Sequence, residues 1–399
     1  MTTRRDLPLG QAYPWLLFIA LVFFLNFTAR AIFSPLMVAI EADLGLGHGQ
    51  AGMLYLDVSV GYSVTLFAAG FLTSRLSHRR CVSLAAFLMG LALLAVSMLR
   101  ELSHIHVGLV ILGMAGGLYL PSGIASVTSL VRSKDYGKAL AVHELAPNLG
   151  LLLAPLLADL FLAMGSWRSA LAALGVVSVV MAALFARFGQ GGDFRSDPPD
   201  TGLIGAMLRT PAFWFLTLGF SLGLGASMGI YNMLPLFLVN ERGMTSLAAN
   251  HLLAVSRISG PVCIFGAGWL ADRLGATRTM GISLALTGAA TLLVGALQGW
   301  WLYAAIFCQP LFIISFFPAG FAAISQALPP GARGVAISLI IPTGIVTGLG
   351  LVPAALGLLG EHGYFGAGFM ALGAIIALSA ACLPLLRPTD LGGSKTAKT

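Results

Sequence analysis

The chain has 399 residues, 58% of them hydrophobic and only 9% charged, with a mean hydropathy of +0.91. That composition excludes a soluble globular protein, because so much apolar side chain needs lipid or a helix bundle around it. The net charge of +7 is carried by short loops between apolar runs, which gives nucleic-acid binding no support. Cys81, Cys263, Cys308 and Cys382 are scattered through apolar stretches, so neither a metal site nor a disulfide framework is implied.

Apolar runs long enough to cross a bilayer fall near residues 14–38, 50–72, 81–99, 106–130, 138–162 and 167–187. Six more fall near 211–238, 247–270, 279–299, 301–327, 333–357 and 364–386. The first run is too long for a cleavable signal peptide and lacks a small-residue cleavage pattern, so it reads as the first span. Segment 188–210 is the one long polar connection, and its Gly, Pro and Asp content suits a linker with a short surface helix. The fold class expected is an all-α membrane protein with twelve transmembrane helices in two pseudo-symmetric six-helix bundles. The bundles would be 1–187 and 211–399, the second with a short tail. Most basic residues, among them Arg4, Arg5, Arg75, Arg79, Arg80, Arg132, Arg273, Arg278 and Lys395, fall on one side of this topology. The positive-inside rule therefore puts both termini in the cytoplasm of a bacterial inner membrane.

A repeat runs through the chain. Gly70-Phe-Leu-Thr-Ser-Arg-Leu76 reappears as Gly268-Trp-Leu-Ala-Asp-Arg-Leu274, an offset of 198 residues. Pro155 maps onto Pro353 and Ala173-Leu-Gly175 onto Ala371-Leu-Gly373 with the same offset. Duplicated bundles with a site between them are how many secondary transporters are built. There is no GxxxxGK[ST] loop to power transport by ATP, and no nucleophile–base set or metal cluster, so an enzyme, a cofactor and a bound metal are not expected.

Polar residues within the spans carry the functional expectation, since a charge at bilayer depth costs a few kcal/mol. Arg30 in span 1 and Arg257 in span 8 belong to different halves, and two guanidiniums facing one cavity would hold a small anion, most simply a carboxylate. Each could instead be a structural partner of a nearby carboxylate or of backbone carbonyls. Tyr62, Tyr119, Asn148, Tyr231, Asn232 and Gln309 are candidate hydrogen-bonding residues of the substrate site or, equally, helix–helix contacts. Asp57, Glu144 and His143 are the candidate proton carriers. Asp57 could exchange with a bound anion for Arg30 or form a static pair with it, and Glu144 could meet Lys138 or Arg333 at an inner gate. The Trp300-Trp301 pair reads as an interfacial anchor.

Gly268 through Arg278 (GWLADRLGATR) and Gly70 through Arg80 (GFLTSRLSHRR) are similar to the loop signature of the major facilitator superfamily, and with twelve spans and a central linker the resemblance covers the chain. It implies alternating access by a monomer, with Gly70, Arg75, Arg79, Gly268, Asp272, Arg273 and Arg278 in gating loops. Ser74 replaces the first loop's aspartate and Ser77 a glycine, so a weaker first latch is expected. The region around Arg30 resembles the anion:cation symporters, although Ala29 stands where their aspartate would be. That likeness implies proton-coupled uptake of a small organic anion such as a monocarboxylate. Asn148-Leu-Gly150 and Gly344 through Gly350 are similar to the glycine-rich helices of nitrate/nitrite porters, whose span-2 arginine has no counterpart here. Ala154-Pro155 loosely resembles the Gly-Pro motif of drug antiporters, which keeps efflux as an alternative.

Overall fold

A computed structural model describes residues 7–197, 201–258, 260, 273–328 and 330–381. Every long element is a helix, as lipid requires of chain segments that must satisfy their own backbone hydrogen bonds. Span 1 is α1 (Leu9–Ala31) continued by α2 (Phe33–Leu44) after a one-residue break at Ile32. Pro35 accounts for the break, because it has no N–H to give the Ala31 carbonyl one turn earlier. The next five spans are α3 (His48–Arg75), α4 (His78–Met98), α5 (Leu102–Leu130), α6 (Tyr136–Met164) and α7 (Trp167–Phe188). The linker carries a short helix, α8 (Thr201–Leu208).

In the second half, span 7 is α9 (Pro211–Leu224), a π turn at Gly225–Gly229 and α10 (Ile230–Asn240). Span 8 begins as α11 (Ser246–Ser256), and its continuation to residue 270 lies outside the described residues. Then come α12 (Ala276–Ala296), α13 (Gly299–Ile313), α14 (Phe316–Ala327) and α15 (Pro330–Gly344). A second π turn (Ile345–Leu351) leads into α16 (Val352–Glu361), and α17 (Phe365–Ser379) ends the described chain. Where described, the helix bounds follow the expected spans, with the first reaching further at both ends because Leu9–Leu44 is one apolar element; the expected ends of spans 8 and 12, at 270 and 386, lie outside the described residues. Trp300 and Trp301 are 76% and 70% exposed at the start of α13, as an interfacial anchor should be.

The duplication is visible in the packing. α4 lies against α7, and α12 against α17. A Cβ on Gly90 would sit 2.7 Å from the Gly175 carbonyl oxygen, and one on Gly288 would sit 2.6 Å from that of Gly373. Both pairs are related by the same 198-residue offset. Only glycine allows backbones this close, which is the usual device for packing helices in lipid.

The halves meet at the end of the molecule away from Leu7 and the linker, called here the distal end. There α3 packs on α16, α2 on α10, and α6 on α11. The α3–α16 contact is backbone on backbone: a Cβ on Gly357 would lie 2.2 Å from the His48 carbonyl oxygen, and one on Gly52 would lie 2.5 Å from that of Pro353. Prolines supply some of the hydrogen bonding. Pro235 leaves the Tyr231 carbonyl without its helical donor, and Ser34 Oγ of the other half donates to it at 2.7 Å. Pro155 does the same for Leu151, whose carbonyl accepts from Tyr231 Oη at 3.2 Å. Asn250 Nδ2 donates to Asp159 Oδ1 at 2.6 Å and to the Pro35 carbonyl at 3.3 Å, and Glu361 accepts from the Gly49 N–H at 3.3 Å.

Candidate functional site

A small cavity lies between the halves, walled on one side by Arg30, Tyr55, Ser59 and Tyr62 and on the other by Met228, Asn232 and Ile345. Its volume of about 30 Å³ is enough for a water or two and too small for a substrate, so the halves are drawn together around it. Arg30 stacks on Tyr62, with the guanidinium carbon 4.6 Å from the ring centroid, and lies 5.3 Å from that of Phe27. Its Nε reaches only the Asn26 carbonyl, at 3.4 Å. Gly116 makes this stack possible, since a Cβ there would come within 3.3 Å of both the Arg30 and the Tyr62 side chains.

Arg257 caps the end of α11 and is 8% exposed. Its guanidinium stacks on Tyr231 at 4.8 Å, and Nη2 donates to the Ser227 carbonyl in the π turn at 3.4 Å. Its Nε has no partner among the described residues. Neither arginine forms an ion pair with a carboxylate among the described residues, so a static Arg–Asp or Arg–Glu pair is not what holds either one; the structural partner each does have is a backbone carbonyl. The two do not share one cavity in this conformation. Arg30 faces Asn232, whereas Arg257 lies behind the neighbouring Tyr231, and consecutive helix residues point about 100° apart.

The other candidates divide between the site and the helix contacts. Asn232 lines the cavity, and its carbonyl accepts from Tyr55 Oη at 3.1 Å across the halves. Asn148 faces the second half at Gly260, where a Cβ would meet its Oδ1 at 2.9 Å. Tyr119 is fully buried within the first bundle, its hydroxyl 3.0 Å from the Ile19 carbonyl and 3.1 Å from His143 Nε2. Gln309 Nε2 donates to the Ala226 carbonyl at 2.6 Å, filling an acceptor that the π turn leaves open.

Asp57 does not reach Arg30. Its Oδ2 lies 2.5 Å from His106 Nδ1 on α5. The reason is helical rotation: residues 55, 58, 59 and 62 of α3 face the cavity, while 57 and 61 face α5, where Gly61 and Gly113 bring the two backbones together. Glu144 meets neither Lys138 nor Arg333. Its Oε1 lies 3.3 Å from His143 Nδ1, and Arg333 Nε donates to the Leu328 carbonyl instead. The Glu144 side chain is 44% exposed while that of His143 is fully buried and stacked 4.3 Å from Phe23.

At the proximal end, the loop from Gly70 to Arg80 is tied to the linker. The His78 and Arg79 N–H groups donate to the carbonyls of Phe194 and Gly192, and the Ser196 N–H donates to that of Thr73. Arg79 pairs with Asp193 at 3.4 Å and donates to the Ala186 carbonyl at 2.9 Å. The linker thus supplies a carboxylate to a loop in which Ser74 replaces the aspartate. Gly191 and Gly192, at φ +87° and +75°, allow the tight return, and a Cβ on Gly192 would strike Ser126 Oγ at 2.3 Å. Arg75 is exposed. Of the second loop, Gly268 and Asp272 lie outside the described residues, while Arg273 and Arg278 flank the start of α12. Sequence reasoning missed His106, Asp193 and Asn250. Only Asp193 had a visible signal, as an acid in a Gly-rich linker beside a basic loop.

The Major Facilitator Superfamily model matches residues 19–267 and 252–399. The chain belongs to the major facilitator superfamily. Among curated members it is 23% identical over 259 residues to the nitrite extrusion protein of Bacillus subtilis, covering 64% of each. It is 20% identical to the probable hexose phosphate transport protein of Chlamydia trachomatis, covering 76% of this chain and 74% of that one. A third match, 28% identical, is the putative multidrug resistance protein MdtD of Cronobacter sakazakii, covering 41% of this chain and 34% of that one. The chain therefore spans less than two thirds of the nitrite extrusion protein and about a third of MdtD. Its fold is that of solved superfamily transporters: a bacterial homolog of the human lysosomal transporter Spinster, in an inward-facing and occupied conformation, superposes with TM-score 0.79 at 15% identity, covering 96% and 98% of the two chains.

Proposed function

We propose that this membrane transporter carries a small anion, most simply an organic carboxylate, by alternating access coupled to protons. The observation that carries the reading is the pair of guanidiniums held by tyrosine rings and backbone carbonyls with no carboxylate beside them among the described residues. Arg30 and Arg257 lie in opposite halves, each stacked on a tyrosine and each lacking a carboxylate among the described residues. Arg257 is buried with its Nε unsatisfied among the described residues, which is costly, and an anionic ligand is the natural group to complete it. As the halves separate around the cavity, Tyr231 and Asn232 would move with the second bundle and let both arginines reach one ligand. Arg30, Tyr62 and Asn232 would then be its nearest contacts, with Asn148 at the rim. Two of the relatives are named for anions, nitrite and hexose phosphate, which agrees with this charge sign.

Glu144 is the better placed proton carrier, because it is half exposed and backed by the buried imidazole of His143. Asp57 is occupied by His106 on the face turned from the cavity. With both termini cytoplasmic, as the basic loops favour, the sealed distal end faces outward, and the protein rests closed to the outside.

The test is thermal stabilisation of the detergent-purified protein by a panel of carboxylates, nitrate, nitrite, sugar phosphates and lipophilic cations. Stabilisation by an anion that is lost in both Arg30→Gln and Arg257→Gln supports the reading. Stabilisation by nitrate or nitrite alone would move the chain to the inorganic anion porters. Stabilisation by cations alone would sink the anion site and favour drug efflux, in keeping with the relative named as a putative multidrug resistance protein.

A further inference from the structure

A second concavity lies far from the first, on the lipid-facing surface of the first bundle. Residues of α4 and α7 near the proximal end line a groove of about 690 Å³. Its upper part is polar, formed by Ser77, Arg79, Arg80 and Ser83, with Asp193 of the linker at the edge. Its lower part, one to two turns deeper toward the bilayer centre, is apolar, with Leu84 and Phe87 on α4 facing Val179 and Ala183 on α7. Leu84 and Phe87 are both exposed. In the membrane this surface meets lipid, so the groove is cationic at headgroup level and apolar at chain level.

The charges are not equivalent. Arg79 is engaged by the Ala186 carbonyl and by Asp193, which also neutralises that carboxylate. Arg80 is exposed, and its guanidinium makes no hydrogen bond or ion pair among the described residues. A guanidinium with no protein partner among the described residues thus lines the same groove as an apolar trough. The pseudo-symmetric positions in the second half are Thr277, Arg278, Gly281 and Ala285 in place of Arg79, Arg80, Ser83 and Phe87. The duplication alone therefore does not explain the pair of arginines or the aromatic wall.

We propose that this groove between α4 and α7 is a binding site for one anionic phospholipid, its phosphodiester on Arg80 beside Arg79 and an acyl chain along Leu84, Phe87 and Ala183. Basic pockets between transmembrane helices hold such headgroups by charge, while the chain contributes apolar burial that a free phosphate lacks. Occupancy would also brace the linker, because Arg79 ties the groove's rim to Asp193.

The test is native mass spectrometry of the full chain released from detergent after titration with phosphatidylglycerol, phosphatidylcholine of the same acyl chains, or glycerol phosphate. Phosphatidylglycerol should be retained about fivefold more than phosphatidylcholine, the scale of one basic side chain near a membrane surface. Arg80→Gln should erase that preference, and Ala183→Trp, an exposed site that fills the trough, should remove the adduct. Both variants should elute as the wild type does, since neither touches the core. Equal retention of the two lipids, a preference surviving in Arg80→Gln, an adduct unaffected by Ala183→Trp, or glycerol phosphate binding as well as the whole lipid would each overturn the proposal.

Discussion

Gly357→Ala is the smallest wedge that can be driven into the distal seal. The added Cβ would sit 2.2 Å from the His48 carbonyl oxygen and 2.9 Å from its carbon. Both atoms are backbone and cannot rotate aside, and ordinary contact needs about 3.5 Å, so α3 and α16 must part by roughly 1 Å. Overpacking of this kind costs about 1–3 kcal/mol. Within α16 itself alanine is favoured over glycine by about 1 kcal/mol, so the cost falls on the closed arrangement and not on the helix. A penalty borne by one of two conformations shifts their ratio about 5- to 150-fold. The assay is an electron–electron distance between spin labels at Glu101→Cys and Gln298→Cys, exposed positions at the distal ends of the two halves, in a background without the native cysteines. Gly357→Ala should add or enlarge a long-distance population. A distance distribution and a melting temperature both unchanged from the parent would refute the claim that this contact is a tight seal between moving bodies.

Arg257→Met should raise the melting temperature of the ligand-free protein, by the equivalent of about 1–3 kcal/mol, because it removes a buried guanidinium whose Nε has no partner among the described residues. The same variant should lose stabilisation by anions, which a thermal-shift titration reads directly. Ser34→Ala removes the 2.7 Å bond to the Tyr231 carbonyl and should weaken distal closure by about 1 kcal/mol, roughly fivefold, seen with the same spin-label pair. In proteoliposomes Glu144→Gln should abolish the dependence of uptake on a proton gradient while leaving anion binding measurable, whereas Asp57→Asn should keep gradient-driven uptake. The reverse pattern would return the proton to Asp57.

Much of the architecture was legible because duplication and hydropathy are local signals. The repeat read from Gly70 and Gly268 predicts two equivalent bundles, and the Gly90–Gly175 and Gly288–Gly373 contacts obey the same offset. Arg30 and Arg257 stood out because charge at bilayer depth is rare. What could not be read is rotation and register between helices. Asp57 and Val58 are neighbours in sequence, yet one meets His106 and the other lines the cavity. The π turn at Gly225–Gly229 has no strong signature, and it sets how Ser227 and Tyr231 present themselves to Arg257. Asp193 lies more than a hundred residues from Arg79, so a loop lacking its own acid gave no hint of where one would come from.

The proline-freed carbonyls of Leu151 and Tyr231 bear on how the protein can cycle. Each is an acceptor that its own helix cannot use, so it waits at the seam between the halves for a hydroxyl from the other side. When the seam opens, water enters and takes the hydroxyl's place, and no buried dipole is abandoned. Joints of this kind differ little in free energy between made and broken, about 1 kcal/mol apiece. Closure built from them holds without trapping, and binding or release of one small ligand can then tip the balance.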